Sequence, residues 1–206
     1  MRVLIACEHT GTVRDAFRRR GHDAVSCDLL PTQTEGPHIT GDAREALHGG
    51  WDLMIAHPPC TYLCSSGLHW NKRVPGRDAQ TAAALEFVEL LMNAPIPRIC
   101  IENPVGRIGT AIRPADQYVQ PYQFGHDASK RTGLWLKNLP LLRTTTAIEP
   151  RIVNGRPRWA NQTDSGQNRL PPSADRGQKR SATYSGIAEA MASQWGQLPP
   201  HHRRET

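Results

Sequence analysis

Two side chains in this sequence are of the right kinds to activate an aromatic ring: the thiol of Cys60 and the carboxyl of Glu102. Cys60 follows Pro58 and Pro59 at the end of the apolar run DLMIA. Consecutive prolines fix φ and remove amide donors, so they hold the thiol on a defined loop. A cysteine inside a strand would be an inert packing group, which is the expectation for Cys7 and Cys100. Glu102 closes a second apolar run, ICI, and is followed by Asn103 and Pro104. A thiolate that adds to C6 of a pyrimidine pushes electron density to C5, which can then attack an electrophilic methyl group. The charge driven into the ring must be balanced at N3, and a carboxylic acid donating there can do so. The bland alternatives are a buried thiol at 60 and, at 102, a helix cap or ion-pair partner.

The elements that must position these groups follow from the apolar pattern. RVLIAC predicts a strand, EHTG a turn, and TVRDAFRRRG a short helix with Val13, Ala16 and Phe17 on one face and Gly21 closing it. HDAVSCDLL predicts a second strand ending at Asp28, and HIT a short one before Asp42. DLMIA is a further strand stopped by prolines. Residues 78–93 form a helix with Leu85, Val88, Leu91 and Met92 as its stripe, and PRICIENP is the next strand. This βαβ rhythm predicts an α/β fold, a Rossmann-like, mostly parallel sheet flanked by helices, with its site outside the carboxyl ends of the strands. Glu8, Asp28, His57 to Cys60 and Glu102 to Pro104 all fall at such ends. Residues 113–145 are expected to add more sheet, and 146–182, rich in Asn, Gln, Arg, Pro, Ser and Gly, to form a long loop ordered against substrate. A docking helix over 185–196 carries Ile187, Met191 and Trp195 at four-residue spacing, and QLPPHHRRET is expected to be loose. All of this fits a single catalytic domain over 1–206.

PPC at 58–60 and ENP at 102–104 resemble the two catalytic signatures of the cytosine C5-specific DNA methyltransferases, PPC and ENV. DLMIAHPPCTYLCSSG is similar to that family's strand and catalytic loop, DLLxGGPPCQxFSxAG. The resemblance implies a methyltransferase type of fold, S-adenosyl-L-methionine as cofactor and DNA as partner, duplex favoured and single strand possible. It implies Cys60 as nucleophile, Glu102 holding N3 and the exocyclic amine, and Pro58, Pro59 and Asn103 shaping the pocket. Arg131, beside Lys130, is the implied group near the cytosine carbonyl, with Arg180 its rival. For the cofactor it implies the loop of Cys7, Glu8, His9 and Gly11, then Asp28 with Leu29, Asp42 with Ala43, and Pro58. GIAEAMA at 186–192 resembles the family's last motif, which packs back beside the cofactor. The chain departs from the pattern where FxGxGG has become ACEHTGTV, and where Pro104 replaces valine. Glu8 or His9 is the expected compensation for the missing glycines. Only the stretch around 146–180 and the loop 64–77 have room to read a target, so specificity is expected to be short or relaxed, as in a small phage-like member. Trp70, Trp159 and Tyr184 are the stacking candidates.

Bulk properties narrow the partners. The 206 residues carry a net charge of +6, part of it in short patches at 18–20, 72–73, 130–131 and 179–180, which favours a polyanion. Five cysteines, an odd number, and no secretory leader or span of about 18 apolar residues predict free thiols, a cytoplasmic location and no membrane partner. Three alternatives stay open: the same C5 chemistry on a free cytosine nucleotide or single-stranded nucleic acid, a binding relative whose catalysis has decayed, and a zinc deaminase. For the last, PCTYLC has three residues between its cysteines where PCxxC needs two, and no HxE precedes it. No required metal is expected.

Overall fold

The computed structural model describes residues 1–173, 180 and 182–199. Seven strands make one sheet: β1 (Arg2–Ala6), β2 (Asp23–Asp28), β3 (His38–Thr40), β4 (Leu53–Ala56), β5 (Arg98–Pro104), β6 (Gln117–Val119) and β7 (Thr132–Lys137). Their order across it is β3-β2-β1-β4-β5-β7-β6. β3, β2, β1, β4 and β5 pair in parallel, and β7 runs antiparallel between β5 and β6. The chain therefore builds outward from β1 to β3, then returns to the other side of β1 with β4. The reversal leaves a crevice outside the carboxyl ends of β1 and β4, where ligands of such sheets bind.

Both faces of the sheet are covered, which explains the unbroken apolar runs of its parallel strands. Val3, Ile5, Leu53, Ile55 and Cys100 face one way, against Val13 and Phe17 of α1 (Thr12–Arg18). On the same side Ile187, Met191 and Trp195 of a helix over Ser185–Trp195 fill the core. Leu4, Ala6, Met54, Ile99 and Ile101 face the other way, against the helix Arg77–Met92 and Trp51. The other helices with described bounds are α2 (Ala43–Ala46), α3 (Ser65–Leu68), α4 (Arg77–Met92) and α5 (Ile108–Ala111), and Ser185–Trp195 is α6. No described helix is long and apolar enough to cross a membrane.

Several expectations need correction. Cys7 is not inside β1 but one residue past it, in the left-handed region at φ 58°, where the strand turns toward α1. On α4 Val88 and Leu91 are buried and Leu85 and Met92 pack half-buried against the same core, while Thr81, not expected on that face, is buried too and bonds Tyr62 O (3.1 Å). Residues 146–173 are not one long loop. They include the hairpin β8 (Arg151–Val153) and β9 (Arg156–Arg158), turned by Asn154 and Gly155, both at positive φ. Asn-Gly supplies the two left-handed residues that a tight hairpin needs. The start of the tail is also docked: Leu198 packs on the core and Pro199 O accepts from the Arg98 guanidinium. Residues 174–179, 181 and 200–206 lie outside the described residues, and with them part of the 146–182 expectation, Lys179 of one basic patch and most of the expected loose tail.

Candidate functional site

At the carboxyl end of β1 the chain must turn sharply into α1, and it does so without a side-chain cap at Gly11, the helix's left-handed N-cap residue at φ 75°. Glu8 supplies the cap instead. Its buried carboxylate accepts the amides of Val13 (2.7 Å) and Arg14 (3.2 Å), two of the donors a helix start leaves free. Glu8 is thus committed to α1. One turn further, Arg14 is fully buried and its guanidinium binds the loop after β2: Thr32 Oγ1 (3.0 Å), Thr34 Oγ1 (2.6 Å), Thr34 O (3.2 Å) and Glu35 O (3.1 Å), besides Ser26 Oγ (3.1 Å) and Asp15 (2.8 Å). A side chain at Gly11 or Gly36 would collide with it. Nothing in the local pattern singled out Arg14, because an arginine in a short helix ordinarily faces water. Its one sequence signal is its place between Val13 and Ala16 on the apolar side.

This loop rims the first half of the site. Asp28, at the end of β2, is largely buried, accepts the Leu30 amide (3.0 Å) and lies 3.9 Å from His9 Nδ1. Leu29 beside it is 74% exposed. Asp42 caps α2 through the Arg44 amide (2.9 Å) and pairs with the Arg44 side chain (2.7 Å). These contacts, led by the amide bond, hold its carboxyl below the usual range. Ala43 is buried at the start of α2. Burial, and after it the negative charges of Asp28, Cys27 and Asp42, push the Cys7 thiol up to about 12. Cys7, Asp28 and Asp42 thus stand at three different strand ends, the two carboxylates near enough for their charge to act on the thiol.

The second half is built at the ends of β4 and β5. The His57 amide bonds Ala6 O (2.9 Å), extending β4 alongside β1 by one residue. Pro58 is buried and Pro59 exposed, and the Asn103 amide donates to Pro58 O (2.7 Å), tying the PPC loop to the ENP strand end. Beyond Cys60 a tight turn forms, with the Leu63 and Cys64 amides both on Cys60 O (3.0 and 2.9 Å). The turn is clamped to the loop after β5 by Arg107 N to Leu63 O (2.7 Å) and Ser65 N to Val105 O (3.1 Å). Gly106 sits under this clamp, where an added Cβ would meet Leu63 O at 2.0 Å. It is a second residue the sequence did not flag, although a glycine just after ENP is the signal that could have.

Glu102 is buried and accepts from His57 Nδ1 at 2.8 Å, their side chains 10% and 11% exposed. Burial alone raises a carboxyl's affinity for its proton. Here the His57 hydrogen bond, the Lys130 charge and a hydrogen bond from Thr132 outweigh it and hold Glu102 below its ordinary value. Cys60, half-buried, is pushed up by burial, by Cys64 and by Glu102, with Lys130 pulling the other way. It rests as the thiol. Lys130 is therefore the cation that both groups feel. The neighbouring Arg131 is exposed and points elsewhere, its guanidinium 4.1 Å from the centre of the Tyr118 ring, because alternate residues entering β7 lie on opposite faces. Arg180 is exposed.

Among the described residues, two buried polar atoms at this junction lack a hydrogen-bond partner, His57 Nε2 and Asn103 Oδ1. No group of three His, Cys, Asp or Glu side chains among those residues is arranged to hold a metal. A shallow cavity of about 330 Å³ lies at the opposite end of the sheet, between Trp51 and Pro97, away from Cys60. Of the aromatic candidates, Trp159 stacks on Tyr122 (4.3 Å) and Tyr184 packs edge-on against His126 (5.2 Å), while Trp70 is 45% exposed on the loop that follows Cys60. The chain matches no protein-family model, and no characterised protein matches it in sequence.

Proposed function

We propose that this protein transfers a methyl group from S-adenosyl-L-methionine to C5 of cytosine in DNA, through a covalent adduct with Cys60. The observation that carries this is the junction itself. A thiol and a carboxyl 42 positions apart stand at the ends of adjacent strands β4 and β5, coupled to one lysine and tied together by the Asn103–Pro58 bond. They stand on one side of the point where the strand order reverses, and Cys7 and Asp28 stand at the ends of β1 and β2 on the other.

The residues there fit the cofactor. Asp28 offers carboxylate acceptors suited to ribose hydroxyls, and exposed Leu29 offers apolar surface suited to an aromatic ring. Asp42, Ala43, Cys7, His9, Gly11 and Pro58 complete the rim, with Glu8 acting through the α1 turn it fixes. When bound, the cofactor supplies an electrophilic methyl group on a sulfonium. The Cys60 thiol gives up its proton and adds to C6 of the ring, and C5 takes the methyl group as the sulfonium leaves as a thioether. Loss of the C5 hydrogen as a proton then lets the Cys60 thiolate leave C6. Glu102 faces N3 and the exocyclic amine, while Asn103 and Pro59 hold the loop that shapes the pocket. Lys130 stabilises negative charge on both Cys60 and Glu102 and takes the place beside the pyrimidine that Arg131 was expected to fill. Net charge of +6 and exposed Trp70, Lys72 and Arg73 after the nucleophile favour a polymeric substrate. Extruding a base from a duplex costs a few kcal/mol, which phosphate contacts offset.

The test is incubation with isotopically labelled S-adenosyl-L-methionine and duplex DNA, single-stranded DNA or deoxycytidine monophosphate, with the products read as nucleosides by mass spectrometry. Labelled 5-methylcytosine from the duplex, abolished in Cys60→Ser, is the expected result. Product from the monophosphate alone replaces DNA by a nucleotide as substrate, and no product from any substrate refutes the proposal.

A further inference from the structure

The family that the sequence resembles carries glycine immediately before PPC, and this chain carries His57 there. That imidazole is not a surface group. Its ring is almost wholly enclosed, its backbone amide is locked to Ala6 O, and its Nδ1 lies 2.8 Å from Glu102 Oε2. With the carboxyl ionised, Nδ1 carries the hydrogen of this bond, and Nε2 on the other side of the ring is a buried polar atom without a partner among the described residues. An unpaired buried polar atom costs free energy. A merely structural histidine would be expected to satisfy both nitrogens, so the arrangement favours the Glu102 bond at the expense of the other side of the ring.

We propose that His57 is a positioning residue for Glu102: its Nδ1–H orients the carboxyl toward the bound ring. The inference rests on the cytosine chemistry proposed above for what the ring is, but the His57–Glu102 coupling can be tested without it. The other groups facing the pair are Lys130 and Thr132 at the start of β7, Cys60 on the loop after β4, and Cys100 on β5 itself. Lys130 and Thr132 favour the carboxylate as His57 does. Without His57 they alone oppose burial, so Glu102 must bind its proton at higher pH.

The variants are His57→Leu, which removes the donor, and His57→Asn, whose side-chain amide can donate from about the place of Nδ1. Glu102 is followed by carbon NMR of the glutamate side-chain carboxyls, assigned with Glu102→Gln. The Glu102 titration should move to higher pH in His57→Leu and return toward wild type in His57→Asn. In methyl transfer, His57→Leu should lower kcat by about tenfold or more, short of the roughly 10²–10⁴-fold of losing an acid–base group outright, and shift the pH profile in the same direction. KM for DNA should stay nearly constant, and His57→Asn should restore the profile. Should His57→Leu not fold, the nitrogen spectrum of the His57 ring in wild type and Glu102→Gln reads the same coupling. An unchanged Glu102 titration in His57→Leu, a His57→Asn variant that behaves like it, or a His57 ring indifferent to Glu102→Gln overturns the inference. A coupled pair in a wild-type protein that methylates nothing upholds the His57–Glu102 link and overturns the methyltransferase proposal instead.

Discussion

Replacing Arg14 by methionine tests how the crevice rim is held. The side chain is fully buried, and its guanidinium makes six hydrogen bonds, four of them to Thr32, Thr34 and Glu35. Methionine keeps most of the aliphatic stem and removes every donor. Breaking one side of a buried charged network costs about 3–5 kcal/mol, because the remaining partners lose their bonds and stay desolvated. Here the loop partners can turn toward water, whereas Ser26 on β2 cannot, so the expected loss is at the lower end, about 3 kcal/mol. At roughly 2–4 °C per kcal/mol for a chain of this size, Tm should fall by roughly 6–12 °C. Urea unfolding followed by circular dichroism should show a lower midpoint with an unchanged slope, and hydrogen exchange should accelerate at the amides of 32–36 before any in β1. The Gln33 amide, bonded to His9 O at 2.7 Å, reports whether the loop has left the β1 turn. A loss under about 1 kcal/mol, with exchange in 32–36 unchanged, would show that the guanidinium does not secure the loop.

Three further outcomes follow from the same contacts. Trp195→Ala empties a fully buried site and removes the indole bond to Pro140 O (3.0 Å), so it should cost about 3–5 kcal/mol in chemical denaturation. Cys60, whose thiol burial chiefly keeps from ionising while Lys130 pulls the other way, should be alkylated slowly at neutral pH and faster as pH rises. Lys130→Met should slow that alkylation further, as followed by peptide mass spectrometry. Glu102 is depressed in the folded state, so it contributes stability that is present above the ordinary carboxyl value of 4.5 and lost as pH falls through its lower folded value. Glu102→Gln should therefore flatten the acid side of the stability curve measured by thermal unfolding between about pH 5 and pH 2.

The sequence by itself determined strands β1 to β5, the helices α1, α4 and α6, and the presence of Cys60 and Glu102 at strand ends. These are legible because burial on both faces writes unbroken apolar runs, amphipathic helices write a four-residue spacing, and prolines stop a strand where they occur. The Asn-Gly turn of β8–β9 was also written in the sequence, but in a polar stretch whose composition reads as loop. Tertiary structure alone decided what surrounds the two reactive groups. The reversal in strand order puts β1 beside β4, and the antiparallel insertion of β7 beside β5 brings Lys130 and Thr132, rather than Arg131, to Glu102. That choice depends on register, and a one-residue change of parity would have presented the arginine. His57 and Glu102 meet across 45 positions, and Arg14 reaches a loop some 20 residues away. No local periodicity records such distances, since these contacts exist only once separate strands and loops have been packed together.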